Sequence, residues 1–170
     1  MANKEALREL QSRLAERLQQ ARTQERVASW LAVECGGRGF LLPLEHAGEI
    51  FPVVPLVSVP HTQAWFVGVA NLRGGLYGVV DLACFIGLAS RPGDEARLVV
   101  FNPGMELNCA LRVERLAGLR SAEQLEAEAG LEAPRPAFVG TRYVDAAGRR
   151  WQELDLLALA AEEAFMRIVA

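Results

Sequence analysis

From Ser29 onward the apolar residues fall into short runs, rich in Val, Leu and Phe and broken by Gly and Pro. The runs are Trp30–Val33, Phe40–Leu44, Ile50–Val54, Phe66–Val69, Leu76–Leu82, Leu98–Phe101 and Leu107–Leu111. Strands packed on a sandwich or barrel core have this texture. The breaks carry turn chemistry: Gly36-Gly37, Asn102-Pro103-Gly104 and Ala147-Gly148. The first two runs, joined through Cys35-Gly36-Gly37-Arg38-Gly39, are predicted to form a hairpin, and a later strand pair is predicted around Phe138–Val144 and Trp151–Leu154.

Helical periodicity is confined to the flanks. In residues 4–26, Leu7, Leu10, Leu14, Leu18 and Ala21 recur at intervals of three and four among Glu, Arg and Gln. This narrow stripe is expected to pack on the body of its own chain, with another protein as the alternative. The division is thus a helical extension, 1–28, and a β-rich domain, 29–170. Residues 120–133 are Glu- and Ala-rich with Leu125 and Leu131 as isolated apolar points, and read as a short exposed helix or loop with Ser121 as N-cap. Pro134 and Pro136 stop any helix there. Asp155–Ile168 is predicted to close the chain as an Ala/Leu-rich helix.

Composition narrows the function classes. A hydrophobic content of 51% suits a globular core rather than a disordered chain, and a net charge of −3 with pI near 5.5 argues against nucleic acid. No apolar stretch reaches the roughly 18 residues of a membrane helix, and no signal-like run follows the charged N-terminus. Cys35, Cys84 and Cys109 are odd in number and widely spaced, which fits reduced thiols and a cytoplasmic location rather than a disulfide or zinc framework.

Catalytic motifs are missing. His46 and His61 both sit in turns, and no phosphate-cradling glycine motif or nucleophile elbow occurs. Gly36, Gly37 and Gly39 lie between two strands, where a turn is the expected role. Asp81 lacks the acidic neighbours of a magnesium site and reads as a carboxylate at a strand end, capping a turn or short helix after it. No metal, cofactor or catalytic residue is expected, and an enzyme using Asp81 or His46 is the weaker alternative. A small-barrel nucleic-acid binder is weaker still, since Tyr77, Phe40 and Phe101 lack the paired aromatic and basic setting it needs.

The most informative stretch is Gly68-Val-Ala-Asn71-Leu-Arg73-Gly74-Gly75, followed by Val79-Val80-Asp81-Leu82. Gly74 and Gly75 allow a tight connection from which Arg73, a planar five-donor fork, can reach a partner. This stretch resembles the signature of CheW-type domains, the coupling proteins of bacterial chemosensory arrays, and the likeness extends over nearly all of residues 29–160. Glu49-Ile50, Val57-Ser-Val-Pro60, Gly140 and Leu154-Asp155-Leu156 match the family's flanks. Gly78 stands where members carry proline, Arg112 where they carry an apolar residue and Glu114 where they carry aspartate. With these departures and a longer leading helix, the chain resembles the PilI branch, which serves twitching motility by type IV pili, more than the flagellar branch.

The resemblance implies a mainly β fold of two small five-stranded barrels side by side, with an added helix at each end. It implies a non-enzymatic adaptor with two partners: the regulatory domain of a histidine kinase, bound on one barrel face, and the tip of a methyl-accepting chemoreceptor, received between the barrels. Carried over by position, Ala47, Glu49, Gly68 and Arg73 line or support the receptor side, while Asn71 and Gly74 shape the turn that presents Arg73. The alternatives are a coupling protein of a flagellar chemotaxis array and a stand-alone kinase-regulatory module of the same fold. No direct insertion into a membrane is expected, so the protein reaches receptor arrays through its partners.

Overall fold

The computed structural model of the chain describes residues 2–130 and 134–170, with side chains for residues 5–19 and from residue 29 onward. Helix α1 (Ala2–Val27) leads directly into β1 (Ala28–Cys35). Strands β2 (Arg38–Pro43), β3 (Ala47–Pro52), β4 (Phe66–Leu72) and β5 (Gly75–Asp81) follow, then the short helix α2 (Leu82–Phe85). The second half holds β6 (Arg97–Phe101), β7 (Cys109–Val113), β8 (Arg115–Ser121), β9 (Leu125–Ala127), β10 (Val139–Asp145) and β11 (Arg150–Leu154). Two short helices, α3 (Leu156–Ala161) and α4 (Glu163–Met166), end the chain.

The strands form two sheets. One has six strands in the order β8-β1-β2-β11-β10-β9, the other five in the order β3-β6-β7-β5-β4. The expected mainly β, two-unit architecture is present, and the first unit gains its sixth strand from β9.

Both units share a core, which explains the unbroken apolar runs in the sequence. Leu31, Val33, Phe40 and Leu42 of the first sheet meet Val80, Val99, Phe101, Leu111 and Val113 of the second in one buried cluster. The alternate residues turn the other way. Trp30, Ala32, Leu41 and Trp151 fill the first unit's own interior, and Ala70, Leu72, Val79, Leu98, Val100 and Ala110 fill the second's. A strand buried on both faces has no polar alternation to display. Phe165 of α4 seals the seam, its ring stacked near those of Trp65 and Phe101 and edge-on to Phe85.

Several local expectations hold. Gly36 and Gly37, at φ 55° and 74°, make the tight β1–β2 hairpin. Asn102 accepts a hydrogen bond from the Gly104 amide at the head of a 3-10 turn over Pro103–Met105. Asp155 caps α3 by accepting from the Ala158 amide at 3.0 Å.

Others are corrected. The helix predicted over Asp155–Ile168 breaks at Glu162, whose extended backbone separates α3 from α4 and turns Phe165 inward. In the stretch 120–133, Ser121 does head a 3-10 turn, its amide donating to Gln124 Oε1, but β9 follows and pairs with β10. Leu131 lies outside the described residues. Strand β8 has no counterpart among the predicted runs. The stripe of α1 is not covered: Leu7, Leu10, Leu14 and Leu18 are each more than half exposed, against the expectation that they pack on the chain's own body. The side chain of Ala21 is not among those described.

Candidate receptor-facing site

Strands β3 and β4 are the two ends of the five-stranded order, yet side chains bring them together. Phe51 of β3 packs on the cluster that holds Ala70 and Leu72 of β4. After β3 the chain runs along the far side of β4, where Val57 and Val69 exchange two backbone hydrogen bonds at 2.9 Å each. The sheet therefore curls round on itself, and its open edge is covered.

The β4–β5 hairpin stands at this closure. Leu72 pairs with Gly75, leaving Arg73 and Gly74 as a two-residue loop with φ of 50° and 82°. Positive φ at both positions is the geometry of a type I′ turn, which glycine adopts freely and arginine only under constraint. Asn71 supplies the constraint, its Oδ1 accepting from the Gly74 amide at 3.0 Å. Arg73 is lifted on this turn over β3, where its Nη2 lies 2.6 Å from Glu49 Oε1 and its guanidinium 5.6 Å from the centre of the Phe51 ring.

The six residues singled out by resemblance are thus brought to one region but divide into two kinds. Glu49, Asn71, Arg73 and Gly74 are exposed. Ala47 and Gly68 are buried. A Cβ on Gly68 would stand 2.5 Å from the Val57 carbonyl oxygen, and its φ of 135° is itself a glycine conformation. Gly68 is what lets the covering segment approach β4. Ala47 pairs with Phe101 across β3 and β6.

Phe51, under the arginine, escapes motif reasoning, although it stands two positions beyond Glu49 and strand alternation could mark it. Around the same unit Val57, Leu76 and Val53 expose large apolar side chains, Val57 and Leu76 to 71% and 65%. Isolated exposed valines and leucines are ordinary on a protein surface.

His46 lies in the β2–β3 turn, its Nδ1 3.9 Å from Glu45 Oε1, and His61 is exposed. Asp81 is buried and caps α2 by accepting from the Cys84 amide at 2.8 Å. The carboxylate read from sequence as a cap is one.

The family profile described as CheW-like domain matches residues 29–164. The chain belongs to the CheW family. Its match therefore covers both sheets and α3, ends within α4, and leaves α1 outside. Protein PilI of Pseudomonas aeruginosa is 31% identical over 99 residues, 57% of this chain and 56% of that protein. A protein of Rhizobium etli described as a probable chemotaxis protein CheW is 33% identical over 64 residues, 38% of this chain and 40% of that one. The chain thus matches about half the length of these relatives. The crystal structure of the scaffolding protein TtCheW from Thermoanaerobacter tengcongensis superposes with a TM-score of 0.66 at 18% identity, covering 81% of this chain and 94% of that one. At that identity the likeness speaks for the CheW fold. Among the described residues no helix is long and apolar enough to cross a membrane.

Proposed function

We propose that this CheW-like chain couples a methyl-accepting chemoreceptor to a histidine kinase in the cytoplasm, within a chemosensory pathway that controls type IV pilus twitching. The observation that carries the receptor half is the raised, exposed Arg73, held over Glu49 and the Phe51 ring at the closure of the second sheet. A receptor tip is a helical hairpin, and an apolar surface with a few polar anchors suits it. The arginine's own partner does not lock it, because an ion pair with side chains 75% and 46% exposed is worth about 1 kcal/mol or less. A receptor carboxylate can therefore displace Glu49, which gives the contact reversibility. The likeness to PilI supports the pilus pathway. The kinase's regulatory domain takes a different face, so that the two contacts coexist. The scaffold relays a receptor's state by contacts that differ between the receptor's signalling states.

The test is binding of the full chain to a receptor-tip fragment and to the kinase regulatory domain, with Arg73→Glu in parallel. Loss of receptor binding by at least tenfold with kinase binding intact is the expected result. Equal receptor binding by wild type and variant would remove Arg73 from the receptor surface, and a folded wild type that binds neither partner would end the adaptor reading.

A further inference from the structure

On the first sheet, far in sequence from the Arg73 turn, arginines from three places converge. Arg38 opens β2, Arg142 lies on β10, Arg149 precedes β11 and Arg150 opens it. Together they line a half-open cleft of about 480 Å³, with Gly37, Gly39 and Gln152. Its shape comes from the parallel pairing of β2 and β11, which sets Gly39 beside Trp151. A Cβ on Gly39 would meet the Trp151 ring at 2.6 Å, so glycine there is what admits the indole across β2. The Arg149 guanidinium lies over that ring, 4.5 Å from its centre, and Arg120 lies 5.4 Å from it.

The carboxylates in this neighbourhood are fewer than the cations. Glu128 is divided between Arg150, at 3.1 Å, and Arg142, at 3.7 Å. Glu34 is divided between Arg149 and Arg115, each at 2.5 Å. Asp145 is turned away to the Trp151 indole and to the amides of Ala147 and Arg149. Arg38 forms no ion pair among the described residues and is exposed. A chain with a net charge of −3 thus concentrates positive charge on one concave surface. Such segregation focuses potential and draws an oppositely charged partner.

We infer that this cleft is a second docking site, for an acidic segment of a partner protein whose Asp or Glu side chains bind the guanidinium forks of Arg38, Arg142 and Arg150. The carboxylate already present shows what the cleft attracts: Glu128 accepts from Arg150 Nε at 3.1 Å and lies within ion-pair distance of Arg142, at 3.7 Å. A phosphate ligand fits less well, because the cleft contains no helix N-terminus among its lining residues to supply converging amides. Nucleic acid fits less well too, since the one aromatic residue lining the cleft, Phe40, is buried and offers no face for a base. The site is separate from the receptor-facing turn and stands whether or not the adaptor reading holds.

The experiment is fluorescence anisotropy of labelled octaglutamate with the full chain in low salt, with octaglutamine, inorganic phosphate and a single-stranded DNA 10-mer as comparison probes. Arg38→Glu and the double variant Arg38→Glu/Arg150→Glu are measured beside wild type and Arg73→Glu, with thermal midpoints as the check on folding. Saturable octaglutamate binding is expected, absent for octaglutamine, weakened about tenfold by Arg38→Glu and further by the double variant, and unchanged by Arg73→Glu. The folded Arg38→Glu variant keeps the cleft's shape, so binding equal to wild type would overturn the site. No saturable octaglutamate binding would overturn it as well, and preference for DNA, or full competition by phosphate at equal charge, would overturn the assignment to an acidic peptide.

Discussion

Asp81 and Arg112 stand opposite one another in the parallel register of β5 and β7, and the guanidinium closes on one oxygen of the carboxylate, with Nε at 3.0 Å and Nη2 at 2.7 Å from Oδ2. The same oxygen accepts from Ser90 Oγ at 2.6 Å, while Oδ1 caps α2 through the Cys84 amide. Arg112 is therefore structural, because it neutralises a carboxylate only 3% exposed.

Removing one partner of such a pair leaves a buried charge. Arg112→Ala is expected to lower unfolding stability by about 3 kcal/mol or more. Asp81→Asn/Arg112→Leu, which removes both charges, is expected to lose distinctly less. Urea unfolding of the three proteins checks the order, and a double variant no more stable than the single one would mean that the pair's charge is not what matters.

The Glu49–Arg73 pair provides the contrast. Both side chains are substantially exposed, so a double-mutant cycle over Glu49→Ala and Arg73→Ala is expected to give a coupling below about 1 kcal/mol in stability. A larger coupling would tie the closure of the second sheet to this pair rather than to Phe51 and its apolar neighbours.

Glycines separate in the same way. Gly68→Ala forces a Cβ against the Val57 carbonyl from a backbone conformation that other residues rarely adopt, and is expected to cost about 3 kcal/mol. Gly74→Ala meets nothing within 4 Å and carries only the cost of its positive φ, about 1 kcal/mol. Thermal midpoints should rank wild type, Gly74→Ala and Gly68→Ala in descending order.

How plainly each strand shows in the sequence depends on how it is buried. Strands β1, β2, β6 and β7 lie between the shared seam and a unit's own interior, so their apolar runs are nearly continuous and easily read. Strand β8, Arg-Leu-Ala-Gly-Leu-Arg-Ser, is an edge strand without a fully buried residue and shows no such run. In β9 only Leu125 is buried, and the Glu- and Ala-rich setting favours helix by propensity; pairing with β10 overrides it. The Asn-Leu-Arg-Gly-Gly turn is legible because its chemistry is local. The role of Gly68 is not, since it depends on a chain segment eleven residues away, and the arginine cleft is invisible because it is assembled from separate strands.

The thiols give a reactivity prediction. Burial pushes the pKa of both Cys35 and Cys109 up to about 12, so almost no thiolate exists at neutral pH, and both residues are buried. With a thiol reagent at pH 8, only Cys84 is expected to react in the folded protein, and all three on unfolding. Rapid labelling of Cys35 or Cys109 at native conditions would mean that the seam between the sheets opens far more readily than its packing implies.

Acid should find a specific weak point at Glu34. Burial of its carboxyl would by itself raise the pKa, but hydrogen bonds from Arg115 and Arg149, with the charges of both, outweigh it and hold the group below its ordinary value of 4.5. The folded state thus binds the proton less readily than the unfolded chain. The resulting stabilisation is complete above the unfolded value and disappears as pH falls through the lower, folded one. Glu34→Gln keeps the shape without the charge and is expected to reduce stability at pH 7 by about 1–3 kcal/mol. The gap should narrow steadily once the pH drops below the ordinary glutamate value, because the wild type then loses the same charge. Urea midpoints of the two proteins across that interval test this. A gap that stays constant with pH would mean that Glu34 contributes through packing, and that its two arginines find no more in the carboxylate than an amide could offer.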